Sequence, residues 1–224
     1  YRGYDSAGVA VSSPDSDGIQ IFKKKGKVQD LLDYVGKVPP TGTTGIGHTR
    51  WATHGPPNDV NAHPHTARLG RLSLIHNGII ENYKDLRREL SAENRTFESE
   101  TDTEIVAHMV SSRIEKGAAP KDAVAEVLPK LRGAFSLGIA FRQNPDLLIG
   151  ARLGSPLVVG YGEGEMYLGS DALALAHLTQ RISYLEEGDW VVMDGCRSVN
   201  PMPKAYGDEG ELSHMLAYMR LEAN

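Results

Sequence analysis

Four of the eight histidines fall within GHTRWATHGPPNDVNAHPH, residues 47–65: His48, His54, His63 and His65. Such density suits a metal site, a hydrolase site or a loop that holds a small molecule. His63 and His65 have the i, i+2 spacing of a strand-borne metal pair, but a catalytic zinc site needs a third protein ligand, usually His, an acid or Cys. His48 and His54 straddle a strand end and share no face. Cys196, the sole cysteine, is far off in the chain. No metal is therefore expected. Cys196 follows Asp194-Gly195 in a turn with no base nearby to lower its pKa, so packing is its simpler role. No G-x-S-x-G nucleophile elbow occurs.

The remaining reading is a clamp for a small zwitterion. Arg50, at the end of a strand-like stretch, can fork onto a carboxylate. Thr53, His54 and loop amides can add hydrogen bonds. Asp102, at a helix start, can take an ammonium group. Asn77-Gly78 stands where a strand is expected to meet a helix. There a side-chain amide and a backbone N–H could aim at one oxygen, the geometry of an oxyanion hole. Each residue has a plainer alternative: Asp102 as a charge complementing a helix dipole, Asn77-Gly78 as a turn. Together they sketch an amino-acid site equipped for acyl transfer but without a nucleophile.

The elements that must position these residues can be read from periodicity. Strands are expected at 7–11, 18–24, 43–53 and 71–77, with Leu72, Leu74 and His76 alternating against Ser73, Ile75 and Asn77. A short helix is expected at 29–35. Helices follow at 78–90, at 101–117 with Thr101 and Glu104 spaced as a capping box, and from Pro120. After residue 134 the pattern returns to strands, interrupted by a short helix at 171–178. Strands, then helices, then strands, with hairpin-length gaps, point to an α+β architecture of mostly antiparallel sheets with helices on their outer faces.

Composition sets the outer bounds. A chain of 224 residues, 40% hydrophobic and 24% charged, can bury an ordinary core. The net charge of −5 has no concentrated cationic face to offset it, which argues against nucleic acid as a partner. The run Lys23-Lys24-Lys25 reads as a solvated strand end. One cysteine allows no internal disulfide and fits a reducing, cytoplasmic setting. No apolar run approaches the ~20 residues of a membrane helix, and no leader is visible.

Five motifs, YRGYDSAG (1–8), GHTRWATHG (47–55), NAHPH (61–65), HNGIIEN (76–82) and TDTE (101–104), together resemble the glutaminase domain of the glutamine–fructose-6-phosphate aminotransferases. These are class II glutamine amidotransferases of the N-terminal-nucleophile hydrolase type. The resemblance spans residue 1 to about residue 195. It implies a four-layer αββα sandwich and a substrate, L-glutamine. It implies that Arg50 binds the α-carboxylate with Trp51, Thr53 and His54 completing that wall, and that Asp102 binds the α-ammonium. It implies that Asn77, through its side chain, and Gly78, through its N–H, form the oxyanion hole, while Arg2 helps order the nucleophile. No role is implied for His48, His63, His65 or His76, which read as structural hydrogen-bonding residues. No cofactor is implied. A sugar isomerase domain, to which ammonia would pass, and a homo-oligomeric full-length form are.

The departures from the family pattern are specific. The family's nucleophile is an N-terminal cysteine whose own α-amine is the base, placed roughly two dozen residues ahead of the YRGYDSAG motif. The start, Tyr1-Arg2-Gly3-Tyr4-Asp5, is not an initiator sequence and reads as a fragment. These residues alone are therefore expected to bind glutamine without hydrolysing it. Residues 1–200 are expected to form the glutaminase domain, and residues 201–224 a divergent linker or tail. A catalytically silent glutamine-binding module, or another class II amidotransferase such as the purine-pathway transferase, are the alternatives.

Overall fold

The computed structural model describes residues 4–12, 18–195 and 197–202, the last six by their backbone alone. Its largest element is a six-stranded antiparallel sheet. In chain order its strands are β4 (His65–Thr66), β5 (Leu72–Ile80), β6 (Gly133–Phe141), β7 (Leu147–Leu153), β11 (Trp190–Asp194) and β12 (Arg197–Met202). They are arranged β12-β11-β7-β6-β5-β4. The period-2 alternation read from the sequence is its organising rule. On one face, Leu72, Leu74, Phe135, Leu137, Ile139 and Ile149 form the main core. On the other, Ile75, Ala140 and Leu148 meet Ala10 and Ile46 of a second sheet.

That second layer holds two three-stranded sheets. One is β2 (Ile19–Lys25), β1 (Ser6–Ser12) and β3 (Thr44–Arg50), in the order β2-β1-β3. The other is β10 (Ile182–Tyr184), β8 (Val158–Tyr161) and β9 (Met166–Gly169), in the order β10-β8-β9. Gly138 and Gly150 let the Leu168 side chain of β9 sit against the large sheet; a Cβ on Gly150 would lie 2.9 Å from it. Helices close both outsides. On the large sheet lie α2 (Tyr83–Ala92), α3 (Asp102–Glu115) and α4 (Pro120–Val127). Against the second layer lie α1 (Val28–Val35), on β2 and β1, and α5 (Ala172–Leu175), on β9. The fold is a four-layer αββα sandwich, and all recorded strand pairings are antiparallel.

Three local expectations need correction. The helix expected to begin at Gly78 begins at Tyr83, because β5 runs on through Asn77, Gly78, Ile79 and Ile80. The ladder holds it there: Gly78 pairs with Phe135, Ile80 with Gly133, and Glu81 N donates to Arg132 O at 2.8 Å. Ile80 faces the core while Ile79 is exposed, an alternation a helix cannot give. The lysine run is not simply solvated. Lys23 Nζ donates to Val60 O at 3.0 Å, Lys24 pairs with Asp59 at 3.1 Å, and Lys25 N donates to Asp59 Oδ1 at 2.6 Å. It fastens β2 to the loop ahead of the NAHPH motif. The capping box is half formed. Thr101 Oγ1 accepts from Glu104 N at 3.3 Å, but the Glu104 carboxylate accepts from the N–H groups of Glu98 and Ser99 at 2.8 and 2.7 Å. The strands β4 and β10, of two and three residues, are too short to show a period in the sequence.

The helix α3 is expected to bury one apolar stripe, yet every residue from Asp102 to Ser112 is buried. It lies between the large sheet and the flanking helices α2 and α4. Most of its buried polar side chains find partners, His108 Nδ1 being an exception. Glu104 also accepts from Ser99 Oγ at 2.7 Å, Ser111 Oγ donates to Glu115 at 2.9 Å and Ser112 Oγ to Glu93 at 3.2 Å. Burial alone would push the Glu104 carboxyl up, but hydrogen bonds from His108, Glu98 and Ser99 outweigh it and hold it at about 2.

Candidate functional site

Three separate segments bring the chemistry-bearing residues together. The C-terminal end of β3 supplies His48 and Arg50, and the turn after it supplies Trp51, Thr53 and His54. The middle of β5 supplies His76, Asn77 and Gly78. The first turn of α3 supplies Asp102 and Thr103. All of these line a cavity of about 270 Å³. Seven of the eight residues singled out in the sequence therefore meet in one place. The eighth, Arg2, lies outside the described residues, as does Cys196.

Arg50 is almost wholly buried, and its guanidinium is only partly committed. Nη2 donates to His54 O, and to Gly55 O at 3.3 Å. Nη1 makes no hydrogen bond and lies 3.8 Å from Asp5 Oδ1. Half of the expected fork thus closes its own turn, and the other half is buried facing the Asp5 carboxylate. Burial disfavours the Arg50 charge, and the carboxylates of Asp5 and Asp102 oppose that. Asp5, which nothing in residue type or spacing marked, also accepts from Ala52 N and from Ser6 Oγ, the latter at 2.9 Å. It fixes the start of the 50–55 turn.

Asp102 is buried, and both of its oxygens are held. Oδ2 accepts from Ile80 N at 2.8 Å and Oδ1 from Thr103 Oγ1 at 3.4 Å. His54 Nδ1 lies 3.8 Å from Oδ2 and His76 Nδ1 3.8 Å from Oδ1. The His54 ring stands edge-on to Tyr83 at 4.7 Å, and its Nδ1 is 3.3 Å from Thr53 Oγ1. Trp51 is half exposed at the rim. Asn77 is exposed to the cavity, its backbone in register with Ser136.

Gly78 has φ +125°, and a Cβ there would lie 2.1 Å from Ala134 O and 2.8 Å from Phe135 Cα. Any side chain would push β5 off β6, so glycine brings backbone into the cavity wall where other residues could not. Gly78→Ala is expected to cost on the order of 2–4 kcal/mol, read as a lower denaturant midpoint. An unchanged midpoint would mean that the two strands part easily here.

Four further histidines cluster at and behind this wall. His48, His63, His65 and His76 form a chain of neighbouring rings, with centroids 4.5 Å apart for His48–His63, 4.8 Å for His63–His65 and 6.4 Å for His63–His76. Burial drives all four toward the neutral form: His48 falls to about 4 and His65 to about 3, and His63 and His76 are also lowered, although the Asp102 carboxylate opposes this at His76 and Glu104 at His65. His65 Nε2 lies 3.2 Å from Thr101 Oγ1, and His63 and His76 share Thr103. The close approach of His63 O to Gly8, where a Cβ would lie 2.0 Å away, presses the NAHPH loop against β1. Among the described residues no three His, Cys, Asp or Glu side chains are placed to hold a metal ion. Nor is any described helix long and apolar enough to cross a membrane.

Comparison with known proteins shows the family. A family model described as a glutamine amidotransferase domain matches residues 34–190. A glutamine–fructose-6-phosphate aminotransferase (isomerizing) of Zymomonas mobilis is 59% identical over 194 residues, 86% of this chain and 31% of that protein. One of Bradyrhizobium diazoefficiens is 50% identical over 214 residues, 95% of this chain and 33% of that protein. The chain thus spans about a third of the length of these curated relatives. Among solved structures, the glutamine phosphoribosylpyrophosphate amidotransferase of B. subtilis superposes with a TM-score of 0.71 at 24% identity, over 88% of this chain and 43% of that one. A glutamine aminotransferase class-II domain protein of Silicibacter pomeroyi superposes with a TM-score of 0.59 at 17% identity, over 89% of this chain and 92% of that one. At these identities the two structures speak for the fold alone.

Proposed function

The chain belongs to the glutamine amidotransferase family, and from that premise we propose that its cavity is the L-glutamine site of an enzyme that makes glucosamine 6-phosphate from fructose 6-phosphate. The observation that carries this is the meeting of Arg50, His54, Asn77, Gly78 and Asp102, from three distant stretches of chain, around one cavity of about 270 Å³. The names of the relatives supply the acceptor. Residues 1–200 form the glutaminase unit, and a sugar isomerase domain elsewhere in the longer protein receives the ammonia.

Glutamine binds with its α-carboxylate on the Arg50 guanidinium and its α-ammonium on Asp102. Trp51, Thr53 and His54 form the wall over the carboxylate. The side-chain amide then lies toward β5. The attacking thiol is the N-terminal cysteine that the resemblance places ahead of Tyr1, with Arg2 ordering it and its α-amine taking the thiol proton. Attack at Cδ gives a tetrahedral oxyanion, which the Asn77 side-chain amide and the Gly78 N–H stabilise. Collapse expels ammonia, which takes up the proton. Water then cleaves the thioester to release glutamate and regenerate the thiol.

The first test is calorimetric titration of L-glutamine into this chain. Saturable binding is expected, and D-glutamine should bind far more weakly because its ammonium and carboxylate cannot both reach Asp102 and Arg50. Absence of any L-glutamine binding would remove the reading. Arg50→Lys should weaken binding roughly 10-fold or more, since a charged hydrogen bond is worth about 1.5–3 kcal/mol and an ammonium cannot hold the 50–55 turn and the ligand together. Unchanged affinity would take Arg50 out of the site. Glutamate release by the longer protein, beginning at a free cysteine, distinguishes an enzyme from a silent binding module.

A further inference from the structure

The reading above uses Asp102 but leaves unexplained the group that joins it to the histidines. The Thr103 side chain is fully buried. Its Oγ1 lies 2.9 Å from His63 Nε2, 2.9 Å from His76 Nδ1 and 3.4 Å from Asp102 Oδ1. A hydroxyl has one proton to give and two lone pairs to receive. An ionised carboxylate can only accept, so in the Thr103–Asp102 hydrogen bond the single Thr103 proton goes to Asp102. Both rings must then donate: His63 from Nε2–H and His76 from Nδ1–H. Each neutral ring carries one proton, which leaves His63 Nδ1 and His76 Nε2 as bare lone pairs. Those two nitrogens are the ones with no hydrogen-bond partner. These tautomers are the favoured ones, because a buried orphan acceptor is tolerated better than a buried orphan N–H. Were either ring to accept from Thr103 instead, its far nitrogen would become a buried orphan N–H and Asp102 would lose the Thr103 proton.

We infer that Thr103 is a positioning residue: by fixing the tautomers of His63 and His76 and giving its own proton to Asp102, it sets the carboxylate that receives the glutamine ammonium. This rests on the ammonium-binding reading of Asp102. With Ile80 N–H on Oδ2 and Thr103 O–H on Oδ1, the carboxylate plane is locked to both β5 and α3 before ligand arrives. Pre-organisation of this kind lowers the ordering cost of binding. His76, directly before Asn77 on β5, ties the same hydroxyl to the strand that carries the oxyanion donors.

The experiment compares L-glutamine with glutaramate, the same molecule without its α-ammonium, by calorimetry on the wild-type chain and on Thr103→Val, Thr103→Ser and Asp102→Asn. Thr103→Val is expected to bind glutamine about 10-fold more weakly while glutaramate affinity is unchanged, and Thr103→Ser to recover most of the loss. Equal weakening for both ligands, no weakening, or a serine variant as poor as valine overturns the inference. Asp102→Asn tests the underlying reading by itself. If it fails to discriminate between the ligands, the Asp102 assignment falls; if it discriminates and Thr103→Val does not, only the role of Thr103 falls. A readout needing no variant is the ring-nitrogen spectrum of histidine-labelled wild-type protein. His63 should be protonated at Nε2 and His76 at Nδ1, and the reverse at either ring overturns the proposal even if Thr103→Val does not fold.

Discussion

Asn77→Ala, made in the longer protein with its free N-terminal cysteine, should lower glutamine turnover by ~10²–10³ while glutamine still binds with near-normal affinity, because removing one preorganised oxyanion donor costs that much in comparable sites. Asn77 is exposed to the cavity rather than buried in a core, so truncation leaves no void and should leave stability within about 0.5 kcal/mol. Its backbone stays pinned by pairing with Ser136, so Gly78 beside it keeps its position. A rate loss with intact binding and an intact melting curve is therefore the expected signature. Turnover close to wild type would remove Asn77 from the mechanism, and a parallel loss of binding would reassign it to the ground-state clamp.

The histidine chain should make the fold acid-labile well above the usual range of carboxylate titration. His48 and His65 titrate at about 4 and 3 in the folded protein against 6.5 when unconstrained. Above pH 6.5 both states are neutral at these sites and the histidines exert no pull. Below it the unfolded chain takes up protons that the folded chain refuses, so stability falls by about 1.4 kcal/mol per pH unit per histidine. The decline ends for each ring only when pH passes its folded value. Those two rings together remove several kcal/mol between pH 6.5 and 4.5, a large share of a typical domain's stability. His63 and His76, also lowered, add to it. Glu104, held at about 2, extends the loss at still lower pH as its carboxylate protonates. Guanidinium midpoints measured from pH 7.5 to 4.5 should fall steadily below 6.5, and His65→Asn should flatten the slope by about one proton. A flat profile down to pH 5 would mean that these rings are protonated or solvated in the folded state.

The large-scale order was legible because it rests on short-range pattern. Alternation in RLSLIHN and the cap at Thr101 each depend on neighbours a few residues away, and both elements stand where the sequence puts them. The end of β5 was not legible, since Ile79, Ile80 and Tyr83 fit a helical spacing as well as a strand followed by a turn. What decides it is the ladder to Gly133 and Phe135, more than fifty residues away. The same limit hid Asp5 and Thr103. Their partners, Ala52 for one and His63 and His76 for the other, are far off in the chain. Arg50 was singled out for its type, but not that its own loop already holds one nitrogen of the fork.

The cavity straddles a seam: β3 belongs to one sheet, β5 to the other, and α3 packs on the far side of β5. Arg50 and Asp102 are thus joined by no single sheet or hairpin. During folding, each sheet could form its own hydrogen-bonded ladder long before the two dock, and neither half would recognise a ligand. Competence should therefore arrive with the final, slowest long-range contacts. Glutamine should in turn slow the reverse step, protecting amides of β3 and β5 from exchange with solvent even where they never touch it.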